Sequence, residues 1–278
     1  MNDAAAARSR RDGWHLWLLA ALAVTLFAGF LWIARDVHSD SSLVAWDSRV
    51  TDALVGARTP GWDRVFWCLT LLGNTPVMLA LASLVVLLLL AWGRRGRAVL
   101  VAGALASTWG ISSLVKAVVQ RARPPEAIAL IKRPDSFSLP SGHALLTLVF
   151  LGLLVLLAFR GIGLGQPRVA SSWRQWLPVP VVVLAAATVV IMVGLSRVYL
   201  GVHWASDVLA GWSLGGAWLA LLLAGFLIWE RGSRPLPDKR PWRGRASRVM
   251  LAAVLVLLAA VVVFFAAQAD PLLVSTLS

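Results

Sequence analysis

An arginine, a histidine and an aspartate fall within the twelve-residue string S-R-V-Y-L-G-V-H-W-A-S-D, Ser196 to Asp207, which joins two apolar stretches. Ionisable groups at the edge of apolar blocks are costly to keep and are candidates for function. His203 and Asp207 are four residues apart, a spacing that on a helix stacks them on one face. A carboxylate there can accept the N–H of one imidazole nitrogen and leave the other nitrogen free to attack. Arg197 brings a permanent positive charge on a planar donor fork that suits phosphate. The string thus reads as a nucleophile, its orienting carboxylate and an anion clamp.

Two further clusters have complementary chemistry. Lys116 and Arg123 are seven residues apart in K-A-V-V-Q-R-A-R, two turns of a helix, with Pro124 and Pro125 closing it. As a pair they fit an anion site, and equally two cations snorkelling at a membrane edge. Pro140-Ser141-Gly142-His143 opens an apolar block. A helix start presents backbone N–H groups and the positive end of the dipole, which favour an anion. Gly142 permits close approach of a ligand, Ser141 adds a hydroxyl, and His143 can donate a proton near neutral pH. An ordinary helix cap would use the same residues.

The elements that must hold these residues are read from composition. Apolar residues make up 59% of the 278, charged residues 14%, and the mean hydropathy is +0.78. Soluble domains carry roughly 25% charged residues. The apolar residues form blocks at 14–34, 75–93, 98–118, 142–159, 178–196, 204–229 and 249–268. Most reach the roughly 20 residues that cross a bilayer, and 142–159 is near the lower limit. The expectation is an all-α, polytopic transmembrane helix bundle with six or seven spans. Barrel strands would be short and alternating. The first block is too long for the apolar core of a secretory signal, and no clear cleavage site follows it. The mixed segment 35–74 reads as two amphipathic helices at the outer interface, their apolar residues including Trp46, Val50, Leu54, Trp62, Val65 and Phe66. A break is expected at Gly73 and Asn74.

With the N-terminus inside and seven spans, segments 1–13, 94–97, 160–177 and 230–248 are cytoplasmic. They hold sixteen basic and four acidic residues, against ten basic and nine acidic elsewhere, so +12 of the net +13 lies inside. This is a positive-inside pattern. Charge scattered through short loops beside spans does not suit nucleic acid, and no nucleic-acid partner is expected. The single cysteine, Cys68, permits no internal disulfide. The chain then divides into a cytoplasmic N-terminal segment 1–13, a transmembrane catalytic domain 14–229, a basic linker 230–248, and a C-terminal span and tail 249–278.

K-x6-R-P, P-S-G-H and S-R-x5-H-x3-D, in this order, resemble the three signatures of the type 2 phosphatidic acid phosphatase (PAP2) superfamily, in its membrane lipid phosphatase branch. The motifs cover 116–207, and the surrounding spans extend the resemblance over 14–229. The block at 249–268 lies beyond the family's usual six-span core. The resemblance implies a metal-independent lipid phosphatase with no cofactor. It implies His203 as nucleophile, Asp207 as its partner and His143 as general acid, with Lys116, Arg123, Ser141, Gly142 and Arg197 as phosphate ligands.

The residues support that chemistry in their own right. Fixed cations and a helix start can hold the charge on phosphoryl oxygens while His203 attacks and His143 protonates the leaving oxygen. No His/Cys/Asp/Glu cluster has metal-ligand spacing. A site at headgroup depth points to a lipid phosphate: a polyprenyl diphosphate first, phosphatidic acid or phosphatidylglycerol phosphate next. Lys132 and Arg133 could hold a second phosphate or simply face solvent or lipid. Two other functions share these residues: a phosphotransferase using a lipid or sugar acceptor, and an anionic-lipid transporter or binding protein. The expected location is the plasma membrane, with the site facing the periplasm or exterior.

Overall fold

A computed structural model of the chain describes residues 14–38, 42–161 and 178–232. Segment 1–13, the linker beyond residue 232 and the apolar block 249–268 lie outside the described residues. The described residues form eight α-helices: α1 (Trp14–Asp36), α2 (Ser42–Gly56), α3 (Pro60–Leu71), α4 (Thr75–Ala91), α5 (Arg95–Val119), α6 (Gly142–Gly161), α7 (Pro178–Tyr199) and α8 (Ala205–Gly232). A single 3-10 turn, Glu126–Ile128, sits in the long α5–α6 loop.

Four of these helices, α1, α5, α7 and α8, are long and apolar enough to cross a membrane. The helices α3 and α4 meet at a bend of 43° and together make a fifth. The break falls at the expected Gly73 and Asn74, where Pro76 starts the new helix. The uninterrupted apolar part of α6, Gly142–Ala158, is shorter than the other spans. Even so, the whole helix of 20 residues rises about 30 Å, the thickness of a hydrocarbon core.

One core lies among α4, α5, α6 and α7, where Met78, Leu81, Val85 and Leu89 meet Val101, Phe150, Leu157 and Val193. The other long helix, α8, packs on α1 and α6. Its crossing with α6 depends on small residues, as membrane helix pairs often do. A Cβ on Gly211 would lie 2.8 Å from the Ser141 carbonyl oxygen, and one on Gly215 would lie 3.2 Å from that of Leu145. This close approach lets the Ser141 N–H reach the Asp207 carbonyl at 2.9 Å, which joins two of the motifs through backbone.

The pair α2 and α3 differs from two simple interfacial helices. Val50 and Leu54 do face inward, against Val198, Ala205 and Val208. But α2 also buries Asp47 and Thr51 completely, while Trp46 of the expected apolar face is 37% exposed. The burial of a carboxylate on that helix has a partner in the site.

Candidate active site

The turn between α7 and α8 has a glycine-dependent end. Gly201 adopts φ +73°, and its N–H reaches Val198 O while the Val202 N–H reaches Arg197 O. This is the Schellman pattern of helix termination. The His203 N–H also donates to Arg197 O, at 3.2 Å. The Arg197 main chain therefore anchors the turn that carries His203, and its side chain enters the site. The start of α8 is held by half a capping box: Asp207 in the first turn accepts from the Trp204 N–H at 2.9 Å.

His203 itself precedes α8 and is not helical, in contrast to the single helix face expected from its spacing. The i,i+4 contact survives because the capping turn brings the ring over the helix start. Nδ1 lies 3.3 Å from Asp207 Oδ2. On the other edge, Arg123 Nη1 lies 3.1 Å from His203 Nε2. Arginine can only donate, so Nε2 is the acceptor and the ring proton is on Nδ1, toward Asp207. The imidazole is buried at 2% exposure. Burial pushes its pKa down from 6.5 to about 3, against the opposing pull of Asp207. A neutral ring whose Nε2 carries no proton has the lone pair that attack on phosphorus needs.

Lys116 and Arg123 do come together, but not along one helix. The helix α5 ends at Val119, and Gln120 takes a left-handed conformation at φ 50°. Residues 120–123 form no regular structure, and Pro124 disfavours a return to the helical region at Arg123. The chain then folds back, and Lys116 Nζ and Arg123 Nη2 both donate to the Phe137 carbonyl. Arg123 also donates to Ser136 O at 2.7 Å and Val202 O at 2.6 Å.

Arg197 is 3% exposed. Its Nη1 donates to Thr70 Oγ1 of α3 at 2.5 Å, and its Nε has no partner. Ser141 is fully buried with an unpartnered hydroxyl. Buried donors of this kind are expensive unless a ligand completes them. Among the described residues, Ser112 Oγ is the side-chain atom nearest a would-be Cβ on Gly142, at 3.8 Å. His143, in the first turn of α6, feels the charges of Arg197, Arg123 and Lys116 and lies close to His203. Its ring abuts Gly73, where a Cβ would come within 2.8 Å of Cδ2. All eight residues singled out from the sequence thus gather at one end of the bundle.

Lys132 is exposed, and Arg133 is tied to the loop through Pro124 O at 2.6 Å and Glu126 at 3.6 Å. Among the described residues, no group of three His, Cys, Asp or Glu side chains is placed to hold a metal ion.

Several site residues escaped the sequence reading. Arg121, 8% exposed, joins two buried carboxylates: Nη1 to Asp207 Oδ1 at 2.6 Å and Nη2 to Asp47 Oδ2 at 2.7 Å. Ser206 donates from its backbone to Asp47 Oδ1 at 2.8 Å and from its hydroxyl to Asp47 Oδ2. Ser138 donates its hydroxyl to Asp207 Oδ2. Removing one partner of a buried ion pair typically costs about 3–5 kcal/mol, since the other charge is stranded.

The chain is similar to known lipid phosphatases. The PAP2 superfamily model matches residues 97–231. The chain is 28% identical over 208 residues to phosphatidylglycerophosphatase B of Bacillus subtilis, covering 73% of this chain and 93% of that protein. It is 33% identical over 90 residues to an undecaprenyl-diphosphatase of Sulfolobus acidocaldarius, covering 32% and 34%. The crystal structure of a transmembrane PAP2-type phosphatidylglycerolphosphate phosphatase from Bacillus subtilis superposes with a TM-score of 0.65 at 26% identity, covering 77% of this chain and 98% of that one.

Proposed function

We propose that this protein, a membrane lipid phosphatase of the PAP2 superfamily, hydrolyses its substrate without a metal, through a phosphohistidine on His203. The observation that carries the reading is the position of His203 between Asp207 and Arg123, with Nε2 forced to be the proton-free nitrogen. Arg123 is also a phosphate donor, so an oxygen held by it brings phosphorus beside Nε2. The Nε2 lone pair forms the N–P bond as the bond from phosphorus to the leaving oxygen breaks. His143 gives its proton to that oxygen. Asp207 stabilises the positive charge on the phosphorylated ring. Water then attacks phosphorus, His143 takes its proton, and the P–N electron pair returns to His203. Lys116, Arg123, Arg197 and the start of α6 at Ser141 and Gly142 stabilise the phosphoryl oxygens throughout.

The substrate reading keeps a polyprenyl diphosphate first, on the argument that outward-facing recycling of such a carrier suits this topology. Phosphatidylglycerol phosphate is the second reading, favoured by the near full-length likeness to phosphatidylglycerophosphatase B. The site faces the periplasm or cell exterior, opposite the loops that carry +12 of the charge.

The test is phosphate release from purified protein with a panel of polyprenyl diphosphate, phosphatidylglycerol phosphate and phosphatidic acid, in excess EDTA. Wild type should turn over and His203→Ala should not. Activity lost in EDTA and restored by magnesium would overturn the metal-free reading. Near-normal turnover by His203→Ala would overturn the phosphohistidine. Phosphoryl transfer to an added lipid or sugar in place of release would indicate a phosphotransferase.

A further inference from the structure

Asp207 has more to hold than His203. Its Oδ2 accepts from His203 Nδ1, from the Trp204 N–H and from the Ser138 hydroxyl, while Oδ1 accepts from Arg121. Both terminal nitrogens of Arg121 are engaged. Nη1 serves Asp207 and the Ser206 hydroxyl at 2.7 Å, Nη2 serves Asp47, and the Trp204 ring lies over the guanidinium, 5.7 Å from its centroid to Cζ. Arg197 differs in holding one neutral hydroxyl, Thr70, through Nη1, with its buried Nε unpartnered. Asp47 in turn grips the first turn of α8 through the backbone and side chain of Ser206. The carboxylate that orients the nucleophile is therefore fixed in rotation by a chain running through Arg121 to α2, a helix that carries none of the three motifs.

We propose that Asp47 and Arg121 are positioning residues of the reaction: they hold Asp207 so that Oδ2 faces His203 Nδ1, and they do not touch the phosphate. The inference rests on His203 being the nucleophile. Arg121 gives one nitrogen to each of two buried carboxylates, and these short charged bonds from one planar group tie the orientation of Asp207 to that of Asp47. Supporting partners one step removed from a reacting group typically carry about 10- to 100-fold in activity.

The test uses the full-length protein in detergent with dioctanoyl phosphatidylglycerol phosphate or farnesyl diphosphate, whichever the wild type turns over faster. Asp47→Asn keeps the shape and removes the charge. Arg121→Lys keeps a charge between the carboxylates and loses the fork. Each should lower kcat by about 10- to 100-fold with KM within about twofold. In an Asp207→Asn background the same changes should cost little further, because the group they act through is already disabled. Full additivity with Asp207→Asn, a raised KM at unchanged kcat, or wild-type kcat in both single variants would overturn the proposal. If Asp47→Asn does not fold, Arg121→Lys carries the same comparison. His203→Ala runs alongside: its retention of turnover would refute the nucleophile assignment, whereas a dead His203→Ala with normal Asp47→Asn and Arg121→Lys would refute the positioning role alone.

Discussion

At the scale of single residues, the site depends on donors whose direction matters as much as their charge. Arg197 spends Nη1 on Thr70 and leaves Nε unpartnered. A lysine there could satisfy Thr70 or a phosphate oxygen, but not both with fixed geometry. Arg197→Lys should therefore lower kcat/KM by roughly 10- to 100-fold, the value of one charged hydrogen bond; wild-type rates would put Arg197 outside the reaction. His203 gives a second test. In the unfolded chain its imidazole titrates near 6.5, and in the fold near 3. Above 6.5 neither state binds the proton. As pH falls from 6.5 toward 3 only the unfolded state gains it, so stability is lost over that window. The Tm in detergent should fall between pH 6.5 and 4 more steeply for wild type than for His203→Gln, and parallel curves would mean that the ring is not held neutral. The motif residues were legible because their spacing is short and their types are rare between apolar blocks. Asp47, Arg121 and Ser138 were not, since Asp47 meets its partners 74 and 159 positions away. Arg121 lies within the K-A-V-V-Q-R-A-R string but carries no distinguishing spacing of its own. The one available signal was an aspartate within the amphipathic pattern of α2.

Among the elements, the α7–α8 turn decides where His203, the proposed nucleophile, stands. Gly201 is left-handed, and a Cβ on it would lie 2.3 Å from the Ile128 carbonyl oxygen. Gly201→Ala adds backbone strain of about 1–3 kcal/mol and a clash with a backbone atom that cannot easily move. Stability should fall by that order in thermal unfolding. Turnover should fall further than stability explains, because His203 is two residues on; activity unchanged in a destabilised variant would show the turn to be plastic. The helical blocks themselves were readable, since apolar length and the Gly73–Asn74 break are local properties. Helix ends were less so. The two-turn argument carried α5 on to Arg123, whereas Gln120 ends it and the loop brings Arg123 back to Lys116. Spacing paired two residues that the structure also brings together, for a different geometric reason.

At the scale of the whole molecule, the four motif-bearing helix ends and the loops between them converge on one end of the bundle, and Arg94, Arg95 and Arg97 lie at the opposite end of α5. The expected sidedness follows from charge, since a membrane retains basic loops on the cytoplasmic face. In intact cells, with Cys68→Ser as background, Lys132→Cys should react with an impermeant maleimide, while Arg95→Cys should react only after the membrane is opened. Both positions are exposed, so a reversed pattern would invert the topology. The site's own charge has a separate consequence. Lys116, Arg123 and Arg197 donate to carbonyls, a hydroxyl and an imidazole, all neutral acceptors. Inorganic phosphate, the end of each hydrolytic cycle, carries the same oxygens that drew the substrate in. On the proposed mechanism, the cations that favour attack also oppose departure, and turnover becomes a contest between chemistry and the escape of the product.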